Sequence, residues 1–290
     1  MTCSVNHLLY AAARRLKAAG IDDDAARVEA RVLLETALGV SRVELRLRPE
    51  RNVTAGEAAR FDLLVSRREA REPLAYIVGE REFYGLRFFV SPAVLVPRPE
   101  TEFLVEAVLR HVAGRETARV ADVGTGSGAI AVAVAVNGPG TRVWATDVSG
   151  DALAVAARNL ARHGLEDRVT LLEGDTLVPL EGFAPFDVIA SNPPYVAPGE
   201  IEALAPEVRD WEPRVALGTH ADALHFYRVF AARAPALLAP GGLLVVEVGR
   251  NQAQAVAELW RSAGLTNVIV ENDYAGIGRV VTGLAAPEKD

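Results

Sequence analysis

The sequence predicts an α/β protein: a seven-stranded, mostly parallel sheet covered by helices on both faces, preceded by a small N-terminal helical bundle and joined to it by a β-hairpin. Three observations carry this. From residue 119 onward strand-like and helical runs alternate, the pattern of a parallel sheet wrapped on both sides. A glycine-rich turn, Gly124-Thr125-Gly126-Ser127-Gly128, follows the first of those strands and opens an Ala/Ile/Val-rich helix. Before residue 72 the apolar residues recur at helical spacing instead. A chain of 290 residues exceeds the usual single domain, and boundaries are expected at 1–72 for a helical, partner-docking domain, 73–92 for the hairpin linker and 93–290 for the α/β domain.

In the bundle, Val5, Leu8, Leu9, Ala12 and Leu16 form one helical face, and Gly20 stops that helix. Acidic residues at 22–24 favour the start of a second helix, with Val28, Leu33, Leu34 and Leu38 on its apolar side and Gly39 at its end. Ser41 opens a short third helix. Thr54 with Glu57 has capping-box spacing for a fourth, carrying Ala58, Phe61, Leu64 and Val65. A purely structural cap is the alternative to a docking role for these helices.

Pro73 breaks the helical pattern, and the aromatic and β-branched residues of 82–90 surround Gly85 as in a hairpin. Val94-Leu95-Val96 is an extended apolar run ended by Pro97 and Pro99. Glu100 and Glu102 then begin a helix with Phe103, Leu104, Ala107, Val108 and Val112 on its buried face. Strands are expected over 120–123, 142–146, 169–173, 186–190, 243–248, 266–271 and 279–282. Ser149 caps a helix that Gly164 ends, another helix spans 252–263, and the tail from Ala285 is expected to be disordered.

Lys+Arg is 31 and Asp+Glu 38, a net charge of −7, so the molecule as a whole does not attract nucleic acid and no direct nucleic-acid partner is expected. Cys3 is the sole cysteine, which excludes an intrachain disulfide and a multi-thiolate metal site; the five histidines show no ligand spacing, and no metal is expected. No apolar run approaches the ~20 residues that span a bilayer, and no signal-peptide order opens the chain. A cytoplasmic protein without a membrane partner is expected.

Gly124-x-Gly126-x-x-Ala129 has the dinucleotide-binding spacing, and Asp147 ends the next strand, where such folds place the acid that holds a ribose diol. This much fits any adenosine cofactor, NAD included. Three features favour S-adenosyl-L-methionine. Asp122, two residues before the first glycine, would disfavour a diphosphate but could hold the cationic amino group of a methionine moiety. Gly174-Asp175 ends the third strand, where a carboxylate can accept from an adenine amine. Ser191-Asn192-Pro193-Pro194-Tyr195 ends the fourth. The prolines carry no N–H and stiffen the turn, so the Asn192 side chain and the Asn192 and Pro193 carbonyls form a rigid set of acceptors beside the Tyr195 ring. Such a cup suits a planar group bearing NH2, either an amide or the exocyclic amine of a base.

Asp122-x-Gly124-x-Gly126-x-Gly128, Asp147, Asp175 and Asn192-Pro193-Pro194-Tyr195 together resemble class I S-adenosylmethionine-dependent methyltransferases that modify a planar nitrogen. Pro73-Leu74-Ala75-Tyr76-Ile77-Val78-Gly79-Glu80-Arg81-Glu82-Phe83-Tyr84-Gly85-Leu86 and Val96-Pro97-Arg98-Pro99-Glu100-Thr101-Glu102 are similar to the HemK/PrmC family, and the resemblance covers nearly the whole chain. It implies a Rossmann-like fold and methyl transfer from S-adenosyl-L-methionine, leaving S-adenosyl-L-homocysteine, to the side-chain N5 of the glutamine in the Gly-Gly-Gln motif of bacterial class I peptide-chain release factors.

Residue by residue, the resemblance implies that Gly124, Thr125, Gly126, Ser127 and Gly128 border the methionine end of the cofactor, with Asp122 on its amino group. Asp147 would hold the ribose, and Asp175 and Thr176 would border the adenine. Asn192 would touch both cofactor and substrate. The Asn192 Oδ1 and Pro193 carbonyl would accept the two amide hydrogens, Pro194 would border the substrate, and Tyr195 would pack on the amide plane. A ribosomal-protein glutamine or an adenine N6 is an alternative acceptor, and NAD-dependent oxidation an alternative chemistry; an adenine enzyme would need a basic base-flipping surface, which the sequence lacks. Arg98, Glu100 and Glu102 are either a helix-start charge cluster or part of the substrate mouth. After Glu212-Pro213-Arg214 the family often has a Gly-Gly pair and a further Gly; here 216–223 reads Ala-Leu-Gly-Thr-His-Ala-Asp-Ala.

Overall fold

The structure, a computed structural model, describes residues 3–48, 51–218 and 220–287. It contains two compact units: Met1–Gly79 with Ala205–Trp211, and Glu80–Leu204 with Glu212–Asp290.

In the first unit β1 (Cys3–Ser4) leads into α1 (Val5–Ala18), α2 (Asp23–Leu38) and α3 (Arg42–Leu47); β2 (Asn52–Val53) then pairs antiparallel with β1 and leads into α4 (Ala55–Glu69) and α5 (Leu74–Val78). Local chemistry sets the helix starts. The Asp22 side chain accepts from the Asp24 and Ala25 N–H groups, and Ser41/Glu44 and Thr54/Glu57 form reciprocal capping boxes. The helices bury Leu16, Ala30, Leu33, Leu34, Phe61 and Val65 among themselves. Val28, expected on the buried side of α2, is 56% exposed: the stripe through Ala26, Ala30, Leu33, Leu34 and Ala37 keeps helical spacing and turns Val28 to solvent.

Buried Arg68 donates to Glu29 (2.7 Å) and Glu207 (2.8 Å), and Arg71 reaches Glu207 (2.7 Å) as well as the Ala19 and Gly20 carbonyls. These bonds hold Ala205–Trp211 in the first unit, although the segment falls inside the expected 93–290 domain. The expected 73–92 linker is also divided. Pro73 follows the end of α4 at Glu69 and caps the start of α5, within the first unit, and only the hairpin belongs to the second.

The second unit opens with that hairpin, β3 (Glu80–Phe83) and β4 (Leu86–Phe89), turning at Tyr84 (φ 51) and Gly85 (φ 70), the left-handed pair that a two-residue hairpin turn requires. Strands and helices then alternate: α6 (Thr101–Val112), β5 (Ala118–Val123), α7 (Ala129–Asn137), β6 (Thr141–Asp147), α8 (Gly150–His163), β7 (Val169–Glu173) and β8 (Phe186–Ser191). Two single-turn helices, α9 (Pro206–Arg209, in the first unit) and α10 (Arg214–Leu217), precede α11 (His225–Leu237), β9 (Leu238–Glu247), α12 (Ala253–Ser262), β10 (Thr266–Asn272) and β11 (Gly278–Leu284). The sheet has seven strands in the order β10-β11-β9-β8-β5-β6-β7. Pairing is parallel from β7 to β9 and antiparallel on both sides of β11.

One face packs Val120, Val188 and Val245 against α6, α7 and α8; the other packs Val123, Ile189 and Leu244 against α11 and α12. Covered on both faces, the central strands are mostly apolar, with buried polar residues such as Asp122, Thr146, Ser191 and Glu247 towards their carboxyl ends. Ala285, where the disordered tail was expected to begin, is 6% exposed and its N–H donates to the Gly242 carbonyl; residues 288–290 lie outside the described residues. Among the described residues no helix is long and apolar enough to cross a membrane, and no cluster of three or more His, Cys, Asp or Glu could hold a metal.

Candidate active site

Strands β5 and β8 are parallel neighbours with Val123 opposite Ser191, so Gly124 and Asn192 leave the sheet side by side. From β5 the chain winds outward through β6 and β7, then returns to β8 on the other side of β5. This reversal opens a crevice beyond the carboxyl ends of the strands, where open α/β sheets bind ligands. The crevice encloses about 1060 Å³ of space not filled by protein, its open mouth included. Gly124, Thr125, Gly126, Ser127, Asp147, Asp175, Thr176, Asn192, Pro193 and Pro194 all line it, with Ile130, Phe226 and Phe230 as apolar wall.

The glycine turn is held by its own neighbours. The Gly124 and Thr125 N–H groups donate to the Thr146 carbonyl (2.8 and 2.9 Å). Asp147 accepts from the Gly126 N–H at Oδ2 (2.8 Å) and the Ser149 N–H at Oδ1 (2.9 Å). Gly124 and Gly126 have left-handed φ of +73° and +55°, and an added Cβ at either would meet no protein atom. Glycine is required there by the backbone, and the space beside it is open to a ligand.

Three residues expected in the site do not line the cavity. Asp122 is fully buried beneath the turn: its Oδ2 accepts from Thr125 Oγ1 (2.6 Å) and the Ala131 N–H (3.1 Å), while Oδ1 has no partner. Burial pushes its carboxyl up to about 7. It therefore acts on the shape of the turn, from below, instead of on a ligand's amino group. Gly128, at φ +79°, would place a Cβ 3.3 Å from that of Ala156, so it serves the close approach of α7 to α8. Tyr195 turns away from the crevice, packs against the core formed with α11 and α12, and donates its OH to Glu247 Oε1 (3.3 Å).

That Glu247 contact leads to a buried hydrogen-bond chain. Asn192 Nδ2 donates to Thr101 Oγ1 (3.2 Å), and Thr101 Oγ1 donates to Glu247 Oε2 (2.6 Å). Gln252 Nε2 donates to the Tyr195 carbonyl (3.0 Å), and its Oε1 accepts from the Gly249 N–H (3.0 Å). Tyr227 OH donates to the Glu247 carbonyl (3.0 Å). Glu247 is 1% exposed, and burial pushes its carboxyl up to about 7 against the lowering effect of its hydrogen bonds. Among the described residues no donor reaches Asn192 Oδ1 or the Pro193 carbonyl, so both remain available to a ligand's N–H groups.

Arg98 donates to both oxygens of buried Glu212 (2.9 and 2.8 Å), and Glu102 accepts the Tyr84 N–H (2.9 Å) at the hairpin turn. Neither is a simple helix-start charge: both tie distant segments together, and Arg98 also lines the cavity. Gly218, in the atypical loop, comes so close to the Val196 carbonyl that a Cβ would fall 2.0 Å from it; Thr219 lies outside the described residues. Glu247, Gln252 and Asn159 carry no sequence signal, and Thr101 stands in the Val96–Glu102 motif without a role that the motif assigns. Asn159, fully buried, accepts the Phe89 N–H (2.7 Å) and donates to the Phe89 (3.0 Å) and Ser127 (2.8 Å) carbonyls, joining the hairpin to the glycine turn.

Residues 7–79 match the PrmC N-terminal domain and residues 99–207 the methyltransferase small domain. A release factor glutamine methyltransferase of Geobacter sulfurreducens is 46% identical over 89% of this chain and 89% of its own; that of Moorella thermoacetica is 45% identical over 95% and 96%. The chain belongs to the release factor glutamine methyltransferase family. A crystal structure of a methyltransferase from Pyrococcus furiosus shares the fold, with a TM-score of 0.51 at 20% identity over 70% of this chain and 91% of that one. As a member of this family the chain is a methyltransferase, and the crevice between the glycine turn and Asn192 is its candidate active site.

Proposed function

We propose that the protein transfers a methyl group from S-adenosyl-L-methionine to the side-chain amide N5 of the glutamine in the Gly-Gly-Gln motif of a class I peptide-chain release factor. The observation that carries this is the acceptor pair, Asn192 Oδ1 and the Pro193 carbonyl, facing the same crevice as the open glycine cradle that leaves the neighbouring strand. The residues fit the cofactor. The Gly124 and Gly126 cradle leaves room for the methionine end. Each Asp147 oxygen already accepts one N–H and keeps the capacity to accept a ribose hydroxyl, and Asp175 and Thr176, which line the same cavity, are assigned to the adenine. When bound, the cofactor supplies an electrophilic methyl on a sulfonium.

A carboxamide nitrogen is a weak nucleophile because its lone pair is shared with the carbonyl, so alignment is the main task of the protein. Asn192 Oδ1 and the Pro193 carbonyl accept the two amide hydrogens and aim the nitrogen. The same acceptors stabilise positive charge as the N–C bond forms and the C–S bond breaks. Positioning and preorganised dipoles of this kind lower a barrier by several kcal/mol. The methylated nitrogen then loses its extra proton to solvent, so no strong base is needed.

The test is incubation with labelled S-adenosyl-L-methionine and a purified release factor, beside its Gly-Gly-Gln to Gly-Gly-Glu variant. Label on the first alone is expected. Label on both, or on neither, rejects the acceptor.

A further inference from the structure

Which end of the Asn192 amide faces the crevice is decided by the hydrogen-bond partner of its other end, Thr101, and by the buried carboxylate behind it. A hydroxyl has one hydrogen. Ionised Glu247 can only accept, so the Thr101 hydrogen goes to Oε2, and Thr101 Oγ1 meets Asn192 as an acceptor. Only the NH2 end of Asn192 can satisfy it, which leaves Oδ1 towards the crevice. The orientation follows from proton counting along the chain and not from the similar shapes of oxygen and nitrogen. The surroundings hold the relay in place: Thr101 is 5% and Glu247 1% exposed, and Tyr195 occupies the other carboxylate oxygen.

We infer that Glu247, acting through the Thr101 hydroxyl, is a positioning residue that keeps Asn192 Oδ1 turned to the acceptor and so selects a neutral carboxamide over the isosteric carboxylate. The inference rests on the carboxamide reading above. A carboxylate has no N–H to offer Oδ1 and would face an oxygen it repels. If Glu247 takes up a proton, that proton is donated to Thr101 Oγ1, and the threonine hydrogen becomes free to point at Asn192. The amide then turns over and presents NH2 where the substrate needs an acceptor. The charged and titratable groups around Glu247 are Glu100, which resists its ionisation, Arg279, which favours it, and the phenols of Tyr195 and Tyr227. With the Glu247 carboxyl lifted to about 7, this reversal falls in the neutral range.

Single-turnover methyl transfer to a release factor is measured across neutral pH in wild type, Thr101→Val, Thr101→Ser and Glu247→Gln. The Asn192 side-chain amide resonance is followed in parallel in ¹⁵N-asparagine-labelled protein. In wild type the rate is expected to fall as pH drops through about 7, with the resonance moving at the same midpoint. Thr101→Val should lower the rate about 10–100-fold and lose both titrations while cofactor affinity stays within about twofold; Thr101→Ser should recover to within about threefold of wild type. Glu247→Gln should lose the titrations, and if it does not fold the two threonine variants decide. A Thr101→Val enzyme with wild-type rate and pH profile, or a Glu247→Gln enzyme that keeps the acid limb, overturns the inference. If wild type methylates no release factor, the carboxamide reading fails instead. The Asn192 resonance still reports on the relay, and a resonance indifferent to both pH and Thr101→Val overturns it independently.

Discussion

The two turns that face each other across the crevice are built in opposite ways. The glycine turn after β5 is held by its sequence neighbours and the adjacent strand: Gly126 on Asp147, Thr125 on Asp122, and backbone on Thr146. The Asn-Pro-Pro-Tyr turn after β8 is held by side chains from α6, β9 and the start of α12, through Thr101, Glu247 and Gln252. The first offers backbone and space to a ligand, and the second offers two fixed acceptors. A turn that cradles a cofactor can be made locally. A turn that must aim an amide nitrogen needs its acceptors oriented, and orientation comes from a buried network whose members are all satisfied.

Substitutions separate the two halves. The largest effect is expected at the acceptor turn: Asn192→Ala should lower kcat on the order of 10²–10³-fold while leaving cofactor affinity nearly intact, as loss of one preorganised transition-state partner does. Steady-state kinetics beside calorimetric cofactor titration checks this, and near-normal turnover would remove Asn192 from the mechanism. On the cradle side, Asp147→Ala should weaken cofactor binding by about 1.5–3 kcal/mol, roughly 10–100-fold, with a smaller change in kcat at saturation. The melting-temperature rise on adding S-adenosyl-L-methionine should shrink accordingly.

A third contrast lies in pH. Asp122 has its carboxyl raised from 3.8 to about 7 by burial, so the folded state holds a proton that the unfolded chain releases. Its contribution is therefore greatest below pH 3.8 and declines as pH rises towards 7. Asp122→Asn should remove that decline, so the difference in unfolding free energy between variant and wild type should move in the variant's favour across that window. A difference constant with pH would mean that Asp122 is ionised in the fold. The smallest effect is expected at Gly128: Gly128→Ala forces a left-handed alanine against Ala156 and should cost about 1–2 kcal/mol in denaturant unfolding, with cofactor affinity little changed.

The cradle was legible because its parts are contiguous or recur at strand ends. Gly124, Gly126, Asp147 and Asp175 each follow a run of β-forming residues, and the strand–helix alternation predicts that those runs end at one edge. Asn192 was legible for the same reason, since the two prolines mark the turn. The support of Asn192 was not legible: Thr101 and Glu247 are 146 positions apart and meet only because α6 and β9 lie together in the fold. The same holds for Arg98 on Glu212. Tyr195 and Asp122 were misplaced for one reason, that sequence gives a residue's position along a strand but not the side of the turn to which its side chain points.

By itself, then, the sequence determined the fold class, the strand ends that build the crevice and the chemistry available there, because periodicity, glycine conformations and proline geometry are local properties of the chain. Only the tertiary structure decided which of those groups face the ligand and which face the core. It also decided that a buried carboxylate next to one hydroxyl orients the asparagine, because the direction of a hydrogen bond depends on partners that the fold alone brings within bonding distance, here 2.6 and 3.2 Å.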